Sequence, residues 1–189
     1  MWQVRKVNRI NKPIPKLIFC VLLTSVLLPR SFAQNVDDLV LRTQSSISEG
    51  NPTLTLQLAE QLEPFLEQGV NSESLVSIAS VLSDAFASTN QRGSAARYLQ
   101  LAADNALVLE QPSAAQIELL QDISSQFRSL GIRSQSISLL SEAVRLAESA
   151  GEARGVVPLL EEIATLEAEL GNLQESQRNY GAALDALPI

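Results

Sequence analysis

Four turn residues, Gly50, Asn90, Gly131 and Gly171, recur about every 40 residues, each between two segments of helix length. The same residue types return around them. Eight positions before the turn stand Leu82, Ile123 and Ile163, four before it Phe86 and Phe127, and twelve after it Ala102, Ala143 and Ala183. A unit of this length cannot bury its own apolar face, so stacked copies must share one continuous core. The chain is thereby constrained to a solenoid.

The units are helical because periodicity and boundary chemistry agree. Ile117, Leu120, Ile123, Phe127 and Leu130 form one stripe at three- and four-residue spacing. Ile137, Leu140, Ala143, Val144 and Ala147 form the facing one beyond Gly131. Glycine or asparagine at the turn can adopt the left-handed conformation that closes a helix. Pro52 and Pro112 suit first-turn positions, and Ser72 and Ser134 suit N-caps. The reading is all-α: four hairpins with helices at 36–49 and 53–67, 73–89 and 92–108, 114–130 and 134–149, and 154–170 and 173–187. The first hairpin is irregular. Arg42 and Ser46 stand where the third has Ile123 and Phe127, and Pro64 interrupts its second helix, as befits a terminal repeat.

These residues resemble the tetratricopeptide repeat family. Its pattern of large-then-small residues, an aromatic, a turn glycine and an alanine in the second helix is matched by Ile123-Ser124, Phe127, Leu130-Gly131, Ser136, Leu140 and Ala143. The fourth repeat offers Ile163-Ala164, Leu170-Gly171, Ser176, Tyr180, Ala183 and Pro188, and the second Leu82-Ser83, Phe86, Asn90, Ala95, Leu99 and Ala102. Three features depart from it: the longer period, Glu167 in an aromatic's place, and the first repeat. HEAT-like helical pairs share the period but lack the Gly and Ala pattern. The resemblance implies a right-handed α-solenoid whose repeats, about 36–67, 73–108, 114–149 and 154–187, bind a protein or peptide.

Residues 1–33 read as a secretory signal peptide. Arg5, Lys6, Arg9, Lys12 and Lys16 precede the apolar run Leu17–Leu28, and Ser31-Phe32-Ala33 makes a small-residue cleavage site. That run is too short for a bilayer span, which needs about 20 residues. The expected location is the periplasm or an equivalent lumen, with secretion or an N-terminal membrane anchor as alternatives. Cleavage would remove six of the 14 basic residues and none of the 21 acidic ones, leaving 8 against 21 and a net charge of −13. A chain so acidic repels nucleic acid and anionic membrane surfaces.

Residues 34–189 contain no His, Cys, Lys, Met or Trp. The usual general base, metal ligands, thiol nucleophile and Schiff-base amine are therefore missing, and no enzyme activity, cofactor or metal is expected. The acidic pairs Glu161-Glu162 and Glu167-Glu169, near Arg154 and Arg178, read as a solvated face. Asp37-Asp38 read as first-turn acids. The resemblance implies a concave groove lined by the first helices: Ser77, Ser80, Asp84 and Ser88, then Glu118, Gln121, Ser125 and Arg128, then Glu161, Thr165 and Glu169. Val40, Ser80, Gln121 and Glu161 stand where some relatives clamp a carboxylate with lysine-type residues, so an acidic C-terminus is disfavoured and an internal neutral or basic segment preferred. Tyr180, Leu184 and Leu187 share a face of the last helix and offer a weak homodimer contact, the alternative being a self-associating structural subunit of an envelope assembly.

Overall fold

The computed structural model describes residues 35–68, 70–109 and 113–187. The expected signal peptide, Pro112 and Pro188 lie outside them. Eight α-helices and no strand occur among the described residues. They are α1 (35–48), α2 (Pro52–Leu62), α3 (Ser72–Ser88), α4 (Arg92–Ala106), α5 (Ser113–Ser129), α6 (Arg133–Ser149), α7 (Ala153–Glu169) and α8 (Leu173–Asp185). Residues 38–189 form one compact unit.

The turns follow from backbone conformation. Gly131 has φ +78° and Asn90 φ +62°, and an added Cβ at Gly131 would meet nothing within 4 Å. Glycine is needed there for its φ, not for space. Around Gly131 the Ile132 N–H donates to the Phe127 carbonyl at 2.9 Å and the Gly131 N–H to Arg128 at 2.9 Å, a double closure of the helix end. The same closure recurs at Gly50, Asn90 and Gly171, and also at Gly151 between α6 and α7, a turn absent from the sequence reading.

Neither Ser72 nor Ser134 caps its helix. The side chain of Asn71, not Ser72, accepts from the Ser74 N–H at 2.7 Å, and Asn51 caps α2 by accepting from Leu54 at 3.2 Å. Ser134 lies inside α6, whose N-cap position is Ile132. An amide side chain outside the helix reaches the free N–H groups that a serine in the first turn cannot. The second helix of the first hairpin also ends early. It stops at Leu62, and Glu63–Leu66 tighten into a 3-10 turn because Pro64 has no N–H to continue the α-helical ladder.

Within each hairpin the helices meet at small residues. Ser124 and Ser136 are fully buried with hydroxyls 2.7 Å apart, sharing a hydrogen bond. Ser83 and Ala95, and Ala164 and Ser176, occupy the matching places and are buried too. Large residues then fill the space between hairpins. One cluster runs from Val76 and Ala79 through Leu99, Leu120, Ile123, Phe127 and Leu140 to Leu159 and Leu166. The first hairpin builds its crossing from hydroxyls: those of Ser46 and Thr55 lie 2.9 Å apart, one donating to the other, and each also sits 2.8 Å from a carbonyl of its own helix end, Thr43 O and Asn51 O, so the second hydroxyl donates to the backbone. Its bulk sits on the second helix instead, where buried Leu62 takes the place of the alanine.

Ala143 is completely buried and Ser125 is exposed. Ala143→Leu should therefore cost about 1–3 kcal/mol by overpacking. Ser125→Leu should leave the thermal midpoint nearly unchanged; equal losses in the two melting curves would refute this packing.

Candidate functional site

A groove of about 650 Å³ opens between α3 and α5, with Gln44 of α1 at its edge. Its floor is apolar: Val76, Val81 and Ile123 are buried, and Leu109 and Leu119 are partly so. Its walls carry Glu73, Ser77, Ser80 and Asp84 from α3, and Glu118, Asp122 and Gln126 from α5. Among the described residues no arginine or lysine lines it. Helical geometry makes both walls. Glu73, Ser77, Ser80 and Asp84 follow three- and four-residue spacing along α3, as Glu118, Asp122 and Gln126 do along α5.

The deep end is electrostatically uncomfortable. Gln126 Nε2 reaches Asp84 Oδ2 at 3.5 Å, the outer limit of a hydrogen bond. Gln126 Oε1 is enclosed and accepts no hydrogen bond. Burial pushes the Asp84 carboxyl above its ordinary value of 3.8, because removing water penalises the charged form. Among the described residues no three acidic groups converge to hold a metal ion, so these carboxylates are spread along a cleft.

Of the residues expected in the groove, the structure brings together Ser77, Ser80, Asp84 and Glu118. Ser88 turns back to its own helix, donating to the Ala85 carbonyl at 2.8 Å. Gln121 and Ser125 do not line the cleft. Helix α5 contributes a face about one residue, or roughly 100°, away from the expected row. A cleft between two helices is walled by the flanks that face each other, which puts Asp122 and Gln126 into it and takes Gln121 and Ser125 out. The four-residue spacing from Glu118 to Asp122 to Gln126 was a signal that could have found them.

The fourth hairpin's expected groove residues are engaged elsewhere. Arg128 Nη2 donates to Glu169 Oε1 at 2.8 Å and Arg133 Nε to Glu169 Oε2 at 2.7 Å, with Arg128 Nη1 3.9 Å from Glu162. A carboxylate at the C-terminal end of α7 opposes the helix dipole, and two guanidinium groups from the third hairpin offset that. Arg133, then Arg128, hold the Glu169 carboxyl below the usual carboxylate range. Glu162 and Glu169 are thus ion-paired between hairpins, where the sequence suggested only a solvated face. Thr165 donates to the Glu161 carbonyl at 2.9 Å and lies 3.2 Å from the Tyr180 hydroxyl. Glu161 is exposed. Glu167, in an aromatic's place, accepts from Asn172 Nδ2 at 2.7 Å and braces the last turn.

A larger depression, about 880 Å³, lies where Glu63, Pro64, Leu66 and Glu67 face Arg97, Tyr98, Leu101 and Asp104. Here the central polar groups satisfy one another. The Tyr98 hydroxyl donates to Glu63 at 2.5 Å and accepts from Arg97 at 2.7 Å, the guanidinium lies 4.7 Å from the ring centre, and the ring stacks on Phe86 at 5.4 Å. Burial, and then the Glu63 carboxylate, push the Tyr98 hydroxyl up. This clasp ties the end of the first hairpin to the second, whereas the α3/α5 groove holds an enclosed acceptor, Gln126 Oε1, without a donor.

Fold and groove together define a tetratricopeptide-like helical repeat array. Two crystal structures of MamA are similar to the chain, each with a TM-score of 0.51 at 16% identity; one match covers 83% of this chain and 75% of that one, the other 84% and 82%. A crystal structure of a Podosopora anserina putative kinesin light chain with nearly identical TPR-like repeats has a TM-score of 0.47 at 15% identity, covering 80% and 86%. At 16% identity the likeness to MamA is one of fold. No protein-family profile and no curated protein matches the chain.

Two carboxylates make opposite contributions to acid stability. Asp84, with its folded pKa raised, favours the fold below its unfolded value and loses that contribution as pH rises through the folded value. Asp84→Asn should therefore melt higher than the parent at neutral pH, an advantage that shrinks as pH falls through the carboxylate range. Glu169, with its folded pKa lowered, stabilises above its unfolded value and loses this as pH falls through the folded one. Glu169→Gln should melt lower at neutral pH and equal to the parent in strong acid; melting curves across pH check both signs.

Proposed function

We propose that this protein is a non-catalytic adaptor that binds a segment of another protein or peptide in the groove between α3 and α5. The observation that carries this is the groove's composition: an apolar floor beneath polar walls whose deepest groups, Asp84 and Gln126 Oε1, lack good internal partners. A cleft of about 650 Å³ is in the range of small-ligand and peptide sites, so it takes a few residues of chain and not a folded domain. The mechanism is complementarity along a preformed surface, with no bond made or broken.

Export is part of the same proposal. The layout of residues 1–33 supports a cleaved signal peptide, and the adaptor would then act in the periplasm or an equivalent lumen. Among the described residues no helix is long and apolar enough to cross a membrane. Intact mass of protein recovered from its own host should begin at Gln34; a stable full-length species held in membrane would overturn this part.

A second reading, self-association through α8, is favoured by one observation. Tyr180, 43% exposed, and Leu184, 69%, share a face of α8 with Leu173, 65%, whereas Leu187, 50% exposed and expected on the same helix, lies beyond its end at Asp185. Affinity capture from the native compartment separates the two. Under the adaptor reading, Ser80→Trp, which fills the groove, should abolish capture of the partner, and Leu184→Glu should leave it intact. Under the second reading, the mass by light scattering should rise with concentration and Leu184→Glu should abolish the rise.

A further inference from the structure

The chemistry of the groove narrows what can occupy it, an inference that rests on the groove being the binding site. Among the described residues four carboxylates line it, Glu73, Asp84, Glu118 and Asp122, without one cationic side chain. Any occupant that covers the cleft strips water from them. A neutral or acidic occupant would leave these charges desolvated and uncompensated. A cationic occupant compensates them and adds charge-assisted hydrogen bonds.

The groove also shows where the cation goes. Asp84 and Gln126 present adjacent acceptors at its deep end, joined only by a 3.5 Å contact, and the Gln126 amide oxygen has no donor. Glu118 and Asp122 are exposed on the α5 wall, four residues apart and on the same helix as Gln126. Between the walls lie Val76, Val81, Leu119 and Ile123. In an extended peptide successive side chains point to opposite sides, so a sequence alternating basic with apolar residues lays one set on the floor and directs the other to the carboxylates.

We infer that the α3/α5 groove receives an extended segment of a partner protein in which basic and apolar residues alternate, a basic side chain pairing with Asp84 and Gln126. The raised pKa of Asp84 accords with a site whose charge is left incompletely solvated until the partner arrives. A metal ion does not fit, because the carboxylates do not converge. Nucleic acid does not fit, because its phosphates would meet the same charges.

The test uses the full-length protein and a fluorescently labelled Arg-Leu-Arg-Leu-Arg peptide, followed by anisotropy. Peptides with glutamine or glutamate in place of arginine are the comparisons. The arginine peptide should bind, and the other two about tenfold or more weaker. Asp84→Asn combined with Asp122→Asn should weaken the arginine peptide by a similar factor, while Glu60→Gln on the exposed face of α2 leaves it unchanged. Affinity should fall as salt is raised.

Equal binding of the three peptides, no binding of any, or indifference to the Asp84/Asp122 double variant would each overturn the basic occupant. The groove itself is judged separately by Ser80→Trp and by Ser77→Arg, the latter at an exposed position where the fold tolerates a long side chain. If both block peptide binding that the double variant leaves intact, the groove stands and its basic occupant falls. If folded forms of both, verified by melting, leave binding unchanged, the groove reading falls with it.

Discussion

Every part of this molecule depends on how closely the two helices of a hairpin can approach. Ser124 against Ser136, Ser83 against Ala95 and Ala164 against Ser176 leave no side-chain bulk at the crossing, and the helices close on one another there. That approach aims the larger residues outward along the stack, where Ile123 and Phe127 join the buried cluster that runs from one hairpin to the next. Serine adds a directional element that alanine lacks. Its hydroxyl, once buried, must find a partner, and Ser124 and Ser136 find each other. The first hairpin makes the same approach with different material, a hydroxyl pair and a buried leucine on the second helix.

The stack distributes its few positive charges unevenly, and this locates the groove. Arg128 and Arg133 are drawn to Glu169 at the junction of the third and fourth hairpins, and Arg97 lies over Tyr98 beside the end of the first. Both junctions use their cations internally. Among the described residues the α3/α5 cleft receives none, so burial pushes the Asp84 carboxyl up with only a distant amide for company. Residual unfavourable electrostatics of this kind are what a binding surface retains and a purely structural one has no need for. The fold tolerates it because the floor beneath is well packed: Val76, Val81 and Ile123 contribute to the solenoid core and the groove at once.

Much of the architecture was legible in the sequence because it rests on local rules. Positive φ demands glycine or asparagine, and five such residues stand at turns, four of them visible from their spacing. Gly151 was overlooked because it separates hairpins instead of helices within one. The helices fall within two residues of expectation apart from α2, where Pro64 replaces its last turn. Where sequence reasoning slipped, two candidate residues stood side by side. Asn71 and Ser72 can each cap a helix, and only the conformation of the chain entering α3 decides between them.

The site was half legible for a different reason. Periodicity by itself determined that α3 and α5 are amphipathic and which of their residues are polar; that Ser77, Ser80, Asp84 and Glu118 belong to a groove followed from the resemblance to tetratricopeptide repeats. Only the tertiary structure decided which polar flank of α5 faces α3, that Arg128 and Glu169 are spent on each other across hairpins, and that Gln126 meets Asp84 with its oxygen unpartnered. A helix repeats every 3.6 residues whatever surrounds it, and that period is written in the chain. The rotation of one hairpin on the next is set by how dozens of side chains interlock at once, and no local run of residues contains it.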